Sequence, residues 1–334
     1  MGSFFEVQLP AAMPGALALA ELALDLVDRL ESQLTIYRDD SELSRVNAQA
    51  YEGPVPVEAR LFELLTWATA LGRETQNAYD VASGALSIAW GFIRGPRRVP
   101  DAAALQEARS KSGSELVRLD PEARTVHFTR PGVVLNLGSI GKGYAVDRAI
   151  ELIRRHPWPT SALVQAGQSS VYGLGSPPGQ LGGGWAVSLR NPFDPDRPLG
   201  TIWLKNRGLG TSGAAFQSFE AGGRTYGHVI DPRTGEPPSS GPSSVTVLAP
   251  SAAEADALST AFYLLGPLAS AHYVARHPEV SALFVVDRAP AKSEVHFPEI
   301  VALNVRGSDF ESDPLIPVRP VTLPSSGEFT AQVR

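Results

Sequence analysis

Residues 133–153 read VVLNLGSIGKGYAVDRAIELI. An apolar run from Val133 to Leu137 leads into Gly138, Gly141 and Gly143, after which Val146, Ile150 and Ile153 recur at helical spacing. That order predicts a strand, a glycine turn and a helix. Backbone N–H groups at such a helix start can face an anion, and Lys142 places a positive charge beside them. The G-x-x-x-x-G-K-[ST] spacing of a Walker loop is absent, and so is the dinucleotide fingerprint. On this local pattern alone, a phosphate site and a plain glycine turn with a solvated lysine fit equally well.

Outward from this stretch, strands are expected near Phe4–Leu9, Ser161–Gln165, Trp185–Leu189, Thr201–Lys205, Ser243–Leu248 and Leu283–Val286. Helices are expected over 11–30, 61–72, 253–265 and 270–276, with a short one from Ser41, another capped by Asp101, and a hairpin around Pro121. Strands and helices alternate without a βαβ rhythm, so the expected class is α+β (mixed α/β) rather than a Rossmann sheet. The prolines and lost periodicity after residue 290 predict a weakly ordered tail, 290–334, behind a single domain, 1–289.

The 334 residues include no cysteine, which excludes disulfides, thiolate metal sites and a catalytic thiol. Any metal would have oxygen or imidazole ligands. The net charge of −6, with no run of lysines or arginines, argues against nucleic acid as a partner. The apolar stretch from Ala11 to Leu30 carries Glu21, Asp25 and Asp28, so no transmembrane segment is expected there. The first basic residue is Arg29; a cytoplasmic protein is expected as the sequence stands, and a periplasmic one if a leader was trimmed.

Three further segments carry chemistry. In RTYGHVIDPRTGEP, residues 224–237, His228 precedes Asp231 by three, and a carboxylate can orient an imidazole acting as a base. In SAAEADALSTAFYLLG, residues 251–266, Asp256 and Thr260 share a helix face and offer hard oxygen ligands suited to Mg²⁺. In TIYRDDSELSRVN and NAYDVASG, Tyr37 could stack on a planar ring that Asn47 and Asp80 could hydrogen-bond. Each of these also has a purely structural reading, which taken alone would outweigh the functional one.

Together and in this order the segments resemble the ApbE-like family, the FAD:protein FMN transferases. The resemblance rests on Met1-Gly-Ser-Phe-Phe5, Ser41-x-x-Ser44-x-x-Asn47, Tyr79-Asp80 with Trp90-Gly91-Phe92, and Leu137-Gly-Ser-Ile-Gly-Lys142-Gly-Tyr-Ala-Val-Asp147. Thr211-Ser212-Gly213, His228-Val-Ile-Asp231-Pro-Arg-Thr-Gly235 and Ala255-Asp256-Ala-Leu-Ser-Thr260 complete it. It implies one large T-fold-like catalytic domain. It also implies a Mg²⁺-dependent transfer of FMN from FAD, the substrate, to a threonine of a target flavoprotein, releasing AMP.

By the same resemblance, Asp256 and Thr260 would hold the metal with Ser139 or the Gly141 carbonyl. Lys142 would approach the pyrophosphate, and His228 with Asp231 would act as base or orienting group. Met1, Tyr37, Ala78, Tyr79 and Asp80 would line the flavin and adenine pockets, with Asn47, Asn136, Thr211, Ser212, Gly213 and Ile230 also at the FAD site. The chain departs from the family pattern where Asn136 replaces an aspartate and where Gln165-Ala-Gly-Gln-Ser169 replaces N-x-G-G-D. Hydrolysis of FAD to FMN and AMP, and flavin binding without catalysis, stand as alternative readings.

Overall fold

In the computed structural model, which describes residues 3–157, 161–179, 183–213, 218–289, 293 and 295–324, the chain begins with β1 (Phe5–Gln8), α1 (Ala16–Leu34) and α2 (Glu42–Gln49). It continues through β2 (Val55–Pro56), α3 (Ala59–Glu74), α4 (Gly84–Ala89), α5 (Ala102–Ser110), β3 (Val117–Asp120), β4 (Thr125–Phe128) and α6 (Gly141–Arg154). Next come β5 (Ala162–Ala166), β6 (Ser170–Leu174), β7 (Trp185–Leu189), β8 (Gly200–Leu204) and β9 (Arg207–Gly213). After β10 (Ser218–Ala221), β11 (Arg224–Gly227) and β12 (Ser244–Ala249) comes the long α7 (Ala252–Arg276). The last elements are β13 (Ser281–Asp287), β14 (Pro298–Leu303), β15 (Phe310–Ser312) and β16 (Val318–Pro320).

The main sheet has the order β1-β5-β6-β9-β12-β13-β14-β16, antiparallel except for the final β14–β16 pair. Both of its faces are covered, which is why β12 is buried along its whole length. Side chains alternate between two cores as the pleat requires. Ala282 and Phe284 of β13 face the core shared with α7, while Leu283 and Val285 pack with Leu199, Ile202 and Leu204 under the small β15-β8-β7 sheet. On the helical side, Leu19, Ala23, Val27 and Leu30 of α1 meet Val146, Ile150 and Ile153 of α6. The α6 stripe is the one expected; in α1 the expected Leu19, Leu22, Leu26, Leu30 stripe is turned by about one residue, leaving Leu22 55% exposed.

Two expectations differ from the structure. Residues 133–137 are extended but join no sheet. Asn47 takes both backbone groups of Leu135, at 2.9 and 2.8 Å, and Val134 and Asn136 bond Gly84 and Val81. An apolar extended run thus has its polar backbone satisfied by a side-chain amide and a loop, which periodicity cannot reveal. The two helices expected after residue 253 are present as the two segments of α7, which part where Gly266 takes the non-helical φ 71° before Pro267. The tail does not begin at 290 as expected. Residues 298–303 form β14, with Ile300, Val301 and Leu303 fully buried, and prolines at its start and around β16 masked the short strand pattern.

Candidate active site

The site forms where the first turn of α7 crosses the first turn of α6 and lies on β9. Glycines make the crossing possible. A Cβ on Gly143 would stand 2.2 Å from the Ala252 carbonyl oxygen, and one on Gly210 would stand 2.3 Å from the carbonyl carbon of Ala255. Backbone therefore meets backbone, and Asp256 is carried to the start of α6. Its carboxylate is 5% exposed; Gly143 N–H donates to Oδ2 at 2.8 Å and the Ser170 hydroxyl to Oδ1 at 2.6 Å. Burial pushes the carboxyl above its ordinary range, against the charge of Lys142 and these two donors.

Lys142 donates through Nζ to the Ser169 hydroxyl at 2.6 Å. Two adjacent serines thus divide the work, Ser169 meeting the lysine and Ser170 the carboxylate. One helical turn along α7, Ser212 of β9 hydrogen-bonds with Ser259 at 2.8 Å and with Thr260 at 3.2 Å. Thr260 shares the face of Asp256, as its four-residue spacing requires.

At the start of α6, Gly141 N–H donates to the Leu137 carbonyl at 2.7 Å, and Ser139 is half-buried just before it. The Tyr79 hydroxyl, wholly buried beside Ser139 and within electrostatic reach of Asp256, has no hydrogen-bond partner of normal geometry among the described residues. Asp147, one turn further along α6, accepts the N–H groups of Ala252 and Ala253, each at 2.8 Å. Burial pushes its carboxyl up to about 7 although both N–H donors pull it down.

His228 follows the β10–β11 hairpin, half-buried and edge-on to Phe92 at 6.5 Å. Val229 and Ile230 are buried beyond it. The DPRTG turn closes through Gly235 N–H to the Asp231 carbonyl at 2.7 Å, with Gly235 at φ 81°. Trp90 secures it by donating from Nε1 to the Gly235 carbonyl at 2.8 Å. The Asp231 carboxylate clamps Arg233, taking its backbone N–H at 2.9 Å and its guanidinium Nε and Nη2 at 2.9 and 2.8 Å.

The other expected residues divide into those that gather and those that lie apart. Lys142, Asp256, Thr260 and Ser212 come together, with Ser139 and Gly141 at the adjoining helix start. Asp80 is a strut, accepting from Ala82 N–H and from both the N–H and hydroxyl of Ser114. Asn47 is a clasp for Leu135, as described above, and Asn136 turns back on Gly138 N–H at 3.0 Å. Ala78 is buried, the Tyr37 ring is exposed, Thr211 shares a hydrogen bond with Thr246 at 2.9 Å, and Gly213 lies in the β9–β12 ladder. Met1 lies outside the described residues. Ser170, Ser259 and Asp147 were not foreseen. Asp147 and Ser259 had a signal, their places in the lysine-glycine and ADALST segments.

The donors gathered here are hard oxygens: one buried carboxylate and the Ser212, Ser139 and Thr260 hydroxyls. Among the described residues no group of three or more His, Cys, Asp or Glu is arranged to hold a metal ion. That composition fits Mg²⁺, which takes one or two carboxylates and leaves positions for substrate phosphates. The orphaned Tyr79 hydroxyl fits a polar ligand atom arriving at the same place. Among the described residues no helix is long and apolar enough to cross a membrane.

Comparison with known proteins identifies the family. A model of the ApbE family matches residues 1–284. The FAD:protein FMN transferase of Treponema pallidum is 32% identical over 299 residues, covering 85% of this chain and 82% of that protein. The crystal structure of the Pseudomonas stutzeri flavinyl transferase ApbE superposes with a TM-score of 0.75 at 29% identity, covering 86% of this chain and 89% of that one. The flavin transferase ApbE of Vibrio cholerae gives the same TM-score at 26% identity, covering 90% and 94%. With 284 of its 334 residues matched by the family model, the chain belongs to the ApbE family.

Proposed function

We propose that this chain is a Mg²⁺-dependent FAD:protein FMN transferase that moves FMN from FAD onto a threonine hydroxyl of a target flavoprotein. The names of its relatives support the reaction class. The observation that carries the reading is the meeting of Asp256 with the start of α6, where Gly143 N–H and the Lys142 charge converge on it. In this reading Asp256 and Thr260, with Ser139 or the Gly141 carbonyl, would hold Mg²⁺. The ion, when bound, supplies electrophilic stabilisation of charge on the phosphoryl oxygens.

The chain's own groups do the rest. Lys142 and the α6 dipole hold the pyrophosphate in a fixed positive field, so little reorganisation is needed as charge develops. The threonine oxygen bonds to the flavin-side phosphorus, the bond from that phosphorus to the bridging oxygen breaks, and AMP leaves with that oxygen. His228 takes the threonine proton at a ring nitrogen. Tyr79 walls the flavin side and the exposed Tyr37 ring offers a stacking face.

Incubation with FAD, Mg²⁺ and a threonine-bearing target peptide is expected to give a fluorescent covalent adduct and AMP. FMN without adduct assigns hydrolysis instead, and neither product refutes catalysis. An Asp256→Ala variant that keeps full metal-dependent activity would refute the metal assignment.

A further inference from the structure

Helices α6 and α7 start by capping each other. From α6, the Asp147 carboxylate spans Ala252 and Ala253 N–H, one oxygen to each, at 2.8 Å. From α7, the Asp256 carboxylate returns to Gly143 N–H, also at 2.8 Å. Each acid sits at the positive end of the other helix.

Helix α7 has a cap of its own, because Ser251 accepts Glu254 N–H at 3.1 Å. The helix start is therefore satisfied locally at its third N–H. Two further bonds from a different helix fix where α7 sits rather than whether it forms. They act at the contact where Gly143 leaves no room for a Cβ, so sliding of α7 along α6 would move Asp256 off both Gly143 and Lys142.

We propose that Asp147 is a positioning residue for the transfer reaction, setting the register of α7 on α6 so that Asp256 stays at Gly143 and Lys142. The inference rests on the function proposed above for its catalytic meaning, but not for its structural content. It concerns a residue that touches neither substrate nor metal and acts through the α7 backbone.

Asp147→Ala and Asp147→Asn are compared with wild type by amide hydrogen exchange without FAD or Mg²⁺, and by Mg²⁺ titration of FMN transfer. Leu199→Ala, in the core under the small sheet and 1% exposed, serves as a control that is destabilised elsewhere. In Asp147→Ala, exchange is expected to quicken at Gly143 as well as at 252–253. The Mg²⁺ concentration for half-maximal rate should rise on the order of tenfold, the size of effect that outer partners of metal ligands commonly have. Asp147→Asn, keeping one acceptor, should lie between, and it carries the same readouts if the alanine variant does not fold. Leu199→Ala should lower the melting temperature and move neither quantity. Unchanged exchange at Gly143, or an equal shift in Mg²⁺ requirement in Leu199→Ala, overturns the proposal. Absence of transfer by the wild type would sink the proposed function while leaving the exchange result to decide the register.

Discussion

Alanine at position 143 tests whether backbone contact between α6 and α7 builds the site. Helix propensity alone favours the change by about 1 kcal/mol. The contact opposes it. The new Cβ would stand 2.2 Å from the Ala252 oxygen, 2.5 Å from its carbonyl carbon and 2.7 Å from Ala253 N, all backbone atoms that no rotamer can move. To reach even 3.0 Å from that oxygen, α7 must shift by 0.8 Å. Overpacking of this kind costs ~1–3 kcal/mol, and a clash with backbone belongs at the upper end. The steric cost wins, leaving a net loss of about 2 kcal/mol. At ~2.1 cal/mol/K per residue over 334 residues, that lowers the melting temperature by about 3 °C. The same shift moves Asp256 by nearly its whole tolerance, and a misplacement of ~1 Å costs on the order of 100-fold in rate. Gly143→Ala is therefore expected to melt a few degrees early yet transfer FMN roughly a hundredfold more slowly. Thermal denaturation and initial rates of adduct formation measure the two, with Gly53→Ala, where nothing lies within 4 Å, as the neutral comparison. A Gly143→Ala protein with the wild-type melting temperature and rate would show that this contact does not position Asp256.

Burial raises both Asp147, up to about 7, and Asp256, so the folded state holds these protons more tightly than the unfolded chain with its ordinary value of 3.8. The stability this gives is full below about pH 4 and is lost as pH rises through the folded values. The metal-free protein should thus lose melting temperature between about pH 4 and 7, and Asp147→Asn should flatten that slope; a parallel slope in the variant would assign it to other groups. Mg²⁺ affinity is expected to run the other way, rising with pH as Asp256 ionises, which calorimetry across the same range reads directly. Asn47→Ala strands both backbone groups of Leu135 and is expected to cost about 3 kcal/mol in urea denaturation; a loss under 1 kcal/mol would mean that water replaces the amide. Ser169→Asp puts a carboxylate on Lys142 and should weaken FAD binding several-fold, a loss that calorimetry would detect and that unchanged affinity would contradict.

What could be read from the sequence follows from the range over which each interaction acts. The stripes of α1 and α6 are local and periodic, and the Ser41 and Asp101 caps are local too, accepting Ser44 and Ala104 N–H at 3.0 and 2.8 Å. The sheet order β1-β5-β6-β9-β12-β13-β14-β16 depends on pairings far apart in the chain, and no residue pattern announces it. The site divides in the same way. Asp256 and Thr260 are one helical turn apart and show as a pair; Ser170 reaches Asp256 across 86 positions, and only the sheet brings it there. The two departures at Asn136 and Ser169 look in the sequence like losses from a binding site. In the fold, Asn136 keeps a local turn through Gly138, and Ser169 keeps the Lys142 ammonium in place with a neutral hydroxyl. Both changes remove negative charge relative to the family pattern while retaining a hydrogen bond. The fixed field at the α6 start is thereby more positive, and a carboxylate as buried as Asp256 depends on that field to ionise at all. For the pyrophosphate proposed above, these two changes leave Lys142 and the α6 start less offset by negative charge than the family pattern would.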